Sequence, residues 1–401
     1  MCINMRLFLC VKQYRFVLRA YYKKFCNKID TYRIYVYIMS KPESFTEIND
    51  IRLPTEFKGV SFSKYKKTDV RSQLLDSMKS GKLEPACYWC AELICAGHFM
   101  EVWEIILHYT GKHIHLGNPK IVSYLEMRFT IFKNIVTQGH YLNEIQLRNN
   151  TTIRKLFAEI ITVLTLSNRK HSFEPIKINR EEEFDMTQMP ERLKATSVEY
   201  AAPIFKKEDP KELFIALNEF CYHLSPETTT TIGACYWIEW MIDFEAICKK
   251  KKTPCICIRR PNVLVEKKYQ GDVMWILWEA LIHFSEKNNN PFIDKLMNGL
   301  RNIFCIKYTT ASCKKRRFLL YFAVALLKES VPTNIELILP ENKPILENIL
   351  SKIDNIYKQI KKNEESPNTE YLFANLEREN TFEKSVRKMD LMNTLDGIVR
   401  K

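Results

Sequence analysis

Apolar side chains in this chain recur at intervals of three and four, and that spacing restricts its fold more than any other feature. Ile153, Leu156, Phe157, Ile160, Ile161 and Leu164 follow it without a break, which puts them on one stripe of an α-helix. Val70, Leu74, Leu75 and Met78 define a shorter amphipathic helix. Ile121, Leu125, Phe129, Phe132 and Ile135 define a longer one, for which Asn118-Pro119 supplies an N-cap and a proline at the first helical position. Ten glycines in 401 residues leave few of the tight turns that sandwiches and barrels consume. The expectation is a mainly all-α protein.

A chain of 401 residues exceeds one core of ordinary size, so two or more domains are expected. Residues 67–168 read as a first helical lobe and 211–339 as a second. Between them 169–210 holds Pro175, Pro190, Pro203 and Pro210 with the acidic run Glu181-Glu182-Glu183, and reads as a linker in which helices are broken and which is able to pack in extended form. Residues 340–401 form C-terminal helices, and 39–66 an arm. Residues 1–38 are basic, with no acidic side chain before Asp30. Three readings compete there: a transit peptide, a membrane-surface segment, and an extension upstream of a start at Met39. That stretch is left out of the fold.

The peptide Ala86-Cys87-Tyr88-Trp89 returns as Ala234-Cys235-Tyr236-Trp237, each time after an amphipathic helix and a polar turn. Later helices correspond loosely, Val273–Phe284 with Ile121–Ile135 and Phe318–Leu327 with Ile153–Leu164. An internal duplication is the expected origin, with Phe292–Phe304 an extra helix of the second copy. The copies differ most after the shared string. In the second, Cys255-Ile256-Cys257-Ile258 and Val263-Leu264-Val265 alternate on either side of Arg259-Arg260-Pro261-Asn262, which predicts a basic β-hairpin over 249–268.

Thirteen cysteines, an odd number lying mostly in apolar stretches, read as reduced core thiols rather than a disulfide framework. Cys87/Cys90 and Cys95/His98 could be offered to zinc, but four residues between the pairs is too short a separation, and the second copy has Ile238 in place of Cys90. No metal and no cofactor is expected. The redox reading fails because no strand precedes the cysteines. His108, His113 and His115 beside Glu104 read as a solvated helix end, and the Gly-Lys pairs at 81–82 and 111–112 lack the rest of a phosphate loop. Catalytic residues are therefore not assigned; an enzyme of unfamiliar design would use Glu92, Glu104 and His108. No apolar run approaches the roughly 18 residues that span a bilayer.

Charge says more. Sixty-one basic against 47 acidic side chains give +14, which favours an anionic partner. Lys249, Lys250, Lys251, Lys252, Arg259, Arg260, Lys267 and Lys268 crowd together, and Lys314, Lys315, Arg316 and Arg317 form a second cluster at a helix start. These twelve are the candidate DNA- or RNA-binding residues, with Tyr269 available for stacking. The same residues would serve as a nuclear-localisation signal. Leu346, Ile349, Ile353, Ile356 and Ile360 repeat at heptad spacing and form a candidate partner-binding seam, open to another helix or to the body of the protein. A last helix would align Met389, Met392, Leu395 and Val399.

Two resemblances follow from particular residues. Ala86-x-Tyr88-Trp89-x-Ala91, Gly97 and Ile114-x-Leu116-x-Asn118-Pro119 resemble the helical C-terminal region of clamp-loader-related AAA+ replication ATPases. The nucleotide-binding machinery of that family is absent from the sequence, so its ATPase activity does not carry over. Gly111–Lys120, Phe184–Met189 and Ser197–Ala201 are similar to uncharacterised proteins of nucleocytoplasmic large DNA viruses. That resemblance implies no assigned activity, only a setting in cytoplasmic replication factories or the virion; taken with the basic clusters and the apolar seam, the expectation is a non-enzymatic viral scaffold with other viral proteins as partners. A virion structural component is the alternative.

Overall fold

A computed structural model describes residues 46–139, 141, 143–184, 192–253, 255–261 and 263–365. The basic segment 1–38, the helix over 389–399 and most of the 184–189 motif lie outside the described residues. Thirteen α-helices and no strand occur among those described, with one isolated bridge between Val60 and Lys66. The all-α expectation holds.

The first half is built on α1 (Lys67–Lys79), α2 (Leu83–Cys95), α3 (Phe99–Tyr109), α4 (Ile121–Gln138) and α5 (Thr151–Leu166). α2 carries Ala86-Cys87-Tyr88-Trp89 and is buried almost all round, with Glu92 at zero exposure. That carboxylate is kept in the core by hydrogen bonds from the arm: Ser61 Oγ donates at 2.8 Å, the Ser63 amide at 3.0 Å and Ser63 Oγ at 2.5 Å. Gly97 ends α2 with φ +79°, a conformation that glycine adopts without steric cost. Asn150 caps α5 by accepting from the Ile153 amide at 3.0 Å. Asn118 does not cap α4. Its side-chain amide donates instead to the Leu337 carbonyl, 3.1 Å away, and the helix starts three residues later at Ile121.

After the four-residue α6 (Arg180–Glu183), the second half contains α7 (Phe214–Leu224), α8 (Ile232–Lys250), α9 (Met274–Lys287) and α10 (Pro291–Phe304). The short α11 (Thr310–Cys313), α12 (Arg317–Lys328) and α13 (Lys343–Lys361) complete it. Each Ala-Cys-Tyr-Trp helix packs against the helix before it and against a later apolar one. α2 lies on α1 and α5; α8 lies on α7 and α12. α4 touches α5 as α9 touches α12.

The halves are not separate bodies. From Ile48 the chain forms one compact unit with one continuous apolar cluster. α10 packs on α4, and α12 packs on α3 and on the π-helical turn Thr110–Ile114 that follows it. Gly111 makes the second contact possible, because a Cβ there would stand 2.9 Å from the Phe318 carbonyl carbon. The supposed linker is pinned down. The Phe173 amide donates to the Lys112 carbonyl at 3.0 Å, its ring stacks on His115 with centroids 4.2 Å apart, and the Ile176 amide donates to Tyr321 Oη at 3.3 Å.

Two further expectations are corrected. The hairpin over 249–268 does not form among the described residues: the Cys257 amide donates to the Gly271 carbonyl and the Ile258 amide to Asp209 Oδ1, at 2.9 and 3.0 Å. The alternation reflects one-sided burial of irregular chain, with Cys257 and Val263 inside while Ile256 and Leu264 are 63% and 78% exposed. The seam on α13 is closed by the protein itself. Ile349, Ile353 and Ile360 are buried and Leu346 and Ile356 half-buried, with α13 lying on α2 and α5.

Candidate nucleic-acid interface

α8 supplies the frame of the basic surface. Its apolar face enters the core, yet it also carries Glu239, Asp243 and Glu245, all buried. The second half organises its cations around these acids. Lys314 Nζ lies 3.6 Å from Asp243 Oδ1, Arg180 reaches the same carboxylate at 2.9 Å, and Arg317 meets Glu239 at 3.1 Å. The turn between α11 and α12 is thereby held against the side of α8. Lys249 reaches back one turn to Glu245 at 3.2 Å, and Lys250, Lys251 and Lys252 follow it into solvent. Asp243, which Lys314 meets, and Lys249 are six residues apart on α8, roughly 9 Å along its axis at 1.5 Å rise per residue. Lysines at a helix C-terminus also complement its dipole, which is their local role.

The acids respond to their burial. Burial pushes the Glu239 pKa up against the pull of Arg317, and pushes Glu245 up against Lys249. Burial also raises Asp243, but the hydrogen bond from Arg180 and the charge of Lys314 outweigh it and hold that carboxyl below the usual range.

Of the twelve candidate residues, nine are exposed: Lys249, Lys250, Lys251, Lys252, Arg259, Lys267, Lys268, Lys314 and Lys315. Three face inward. Arg260, 2% exposed, forks onto Asp209 at 3.0 and 2.5 Å and also pairs with Glu279. Arg316, equally buried, pairs with Glu104 and donates to the Phe304 carbonyl at 2.5 Å. Arg317 is spent on Glu239 and on the Lys314 carbonyl. The planar guanidinium fork suits such buried, multiply bonded positions, whereas a hydrated ammonium suits the surface. Tyr269 is not a free stacking platform: Lys268 Nζ sits 4.7 Å from its ring centroid and Tyr308 packs edge-on at 5.9 Å. Spacing alone does not separate Arg259 from Arg260. The acids that do so, Asp209 and Glu279, carry no local signal of that role. Glu239 and Asp243, an i, i+4 pair inside an apolar helix, are the available signal for the inward Arg317.

The two acids of the expected enzyme constellation are committed to other side chains. Glu92 is enclosed by Ser61, Ser63 and Tyr88, while Glu104 is held by Arg316. Burial, reinforced by Arg71 and Lys112, lowers the His108 pKa to about 4. Cys87, Cys90, Cys95 and Cys235 are buried thiols, and burial raises Cys87 to about 11. No cluster of three His, Cys, Asp or Glu side chains able to hold a metal occurs among the described residues. No described helix is long and apolar enough to cross a membrane.

Fold and surface together define a class: a mainly helical protein whose described residues from Ile48 onward share one core, with exposed lysines at the C-terminal end of one helix. Comparison with protein families, with characterised proteins and with solved structures finds no match to this chain.

Proposed function

We propose that this protein is a non-enzymatic scaffold that binds DNA or RNA through the lysine face of α8 and the adjoining α11–α12 turn. The observation that carries this reading is the ion pair of Lys314 with Asp243, which sets two lysine clusters distant in sequence beside one another. Exposed ammonium groups clustered at the end of a helix suit the negative charge of a phosphate backbone, and their contribution is counterion release rather than base recognition. The resemblance to proteins of large DNA viruses supports replication or packaging as the setting, in the host cytoplasm or in the virion. The parallel packing of α2 and α8 supports descent of the two halves from one duplicated unit. Superposing them on the two Ala-Cys-Tyr-Trp helices tests that descent, which is refuted if the neighbouring helices run in unrelated directions.

The functional test is a salt-dependent binding titration of DNA and RNA with the full chain and with Lys249, Lys250, Lys251 and Lys252 all changed to Ala. Tight binding at low salt is the expected result, with a log–log salt slope that falls by about 0.9 for each phosphate the variant no longer engages. Absence of binding at low salt, or superimposable curves for the two proteins, overturns the reading.

A further inference from the structure

A cavity of about 230 Å³ lies between α9, α10 and the irregular segment around Arg260. Its walls are apolar where Val263, Trp275 and Ile282 contribute and polar where Trp278, His283 and Arg301 do. Five polar atoms of these lining residues are buried without a hydrogen-bond partner; Arg260 Nε and Glu279 Oε2 face each other in an ion pair, which leaves Trp278 Nε1, His283 Nε2 and Arg301 Nε. Trp278 is 1% exposed, and no protein acceptor meets its indole N–H. Neighbouring Trp275, by contrast, donates its indole N–H to the Tyr269 carbonyl at 2.6 Å. The unmet polar atoms therefore belong to residues that line the cavity.

The charges around the cavity balance unequally. Arg260 is neutralised by Asp209 and Glu279, and Glu279 is met as well by Lys206 at 3.5 Å. Glu286 stands exposed at the rim. Arg301 donates to Asn298 Oδ1 at 3.0 Å but enters no ion pair among the described residues. Burial lowers its pKa, and the nearby charge of Glu286 offsets that only in part. Burial and Lys287 lower His283 too, so the imidazole is neutral at pH 7 and adds no charge of its own.

We infer that this cavity binds a small organic acid, whose carboxylate accepts hydrogen bonds from Trp278 Nε1–H and Arg301 Nε–H while its apolar body lies against Val263, Trp275 and Ile282. The volume is that of about seven or eight water-sized units at roughly 30 Å³ each, which fits a compact acid. A charge-assisted pair with a half-buried guanidinium, joined by a second donor and apolar walls, is the usual composition of a small-molecule site.

The experiment uses full-length protein labelled with ¹⁵N at tryptophan, with the Trp278 indole signal assigned by its loss in Trp278→Phe. Sodium benzoate is the probe, benzamide its neutral counterpart and inorganic phosphate the anion without an apolar body, all at matched ionic strength. A saturable shift of the Trp278 signal with benzoate, at least about tenfold weaker with benzamide and with phosphate, is expected. Arg301→Gln is expected to weaken benzoate by a similar factor. No saturable shift overturns the inference; equal affinity for benzamide overturns the role of the anion, and equal or tighter phosphate binding overturns the organic acid. Should Arg301→Gln not fold, the three titrations of the unaltered protein decide the matter alone.

Discussion

Arg316 and Glu104, 212 positions apart in the chain, form a buried ion pair that ties the start of α12 to α3. The Arg316 guanidinium is enclosed and also satisfies the Phe304 carbonyl. Removing one member of such a pair leaves the other buried and unmet, at a cost of about 3–5 kcal/mol. Arg316→Met is therefore expected to destabilise the protein by that amount in urea unfolding. Glu104→Gln, which retains a hydrogen-bond acceptor, should cost about half as much. A urea midpoint for Arg316→Met equal to that of the parent would show that the pair adds nothing to stability.

Lys315 and Arg317 are two residues apart and should behave in opposite ways. Lys315→Ala leaves urea stability within about 0.5 kcal/mol and reduces the salt slope of DNA binding by about 0.9. Arg317→Ala strips the counter-ion from buried Glu239, so it lowers stability by more than about 1 kcal/mol while leaving the slope unchanged. Binding and unfolding curves for the pair would expose a reversed pattern at once.

Acid should weaken the fold before most carboxylates titrate. Burial lowers His113, His115 and His223 to a pKa of about 4, from an unfolded value near 6.5. The unfolded chain binds more protons between those values, so the stabilisation is complete above pH 6.5 and is lost as pH falls towards 4. Each histidine accounts for about 1–2 kcal/mol by pH 5. Glu239 and Glu245, whose pKa values burial raises, oppose the trend in part. The urea midpoint should therefore drop between pH 7.5 and pH 5.0; a flat profile would contradict the burial of these rings.

Gly111→Ala would place a methyl group 2.9 Å from the Phe318 carbonyl carbon and 3.0 Å from the Leu319 nitrogen. Both are backbone atoms of α12 and cannot rotate away, so about 2 kcal/mol or more of stability should be lost. Gly59→Ala provides the comparison. Its Cβ would meet nothing within 4 Å, and only the φ of +84° is strained, at about 1–2 kcal/mol. Thermal denaturation of the two variants should rank them in that order.

Helix positions are legible because burial of one stripe writes a local period into the chain. Ile153 to Leu164 lie within α5, and Phe318 to Leu327 within α12. Long-range choices leave no such mark. Nothing near Asn118 indicates that its amide is committed to Leu337, and nothing around Arg260 indicates that Asp209 waits 51 positions earlier. The seam on α13 is an apolar stripe in sequence and in structure, but such a stripe has the same spacing whether α2 and α5 or another protein covers it. The alternation of Cys257 and Ile256 imitates a strand because an irregular segment lying along a core also buries every second side chain.

Around α8 the exposed cations are lysines, with Arg259 the exception, whereas the arginines at 260, 316 and 317 are locked into the frame. The protein thus divides its positive charge between two chemistries, primary amines outside and guanidinium groups within. Acetyl transfer to amines would discharge the outer set while the inner set stayed charged and the helices stayed in place. Attachment to a polyanion would then be graded, one acyl group at a time, with Lys249 and Lys314 the two whose acylation also ends an ion pair of the frame.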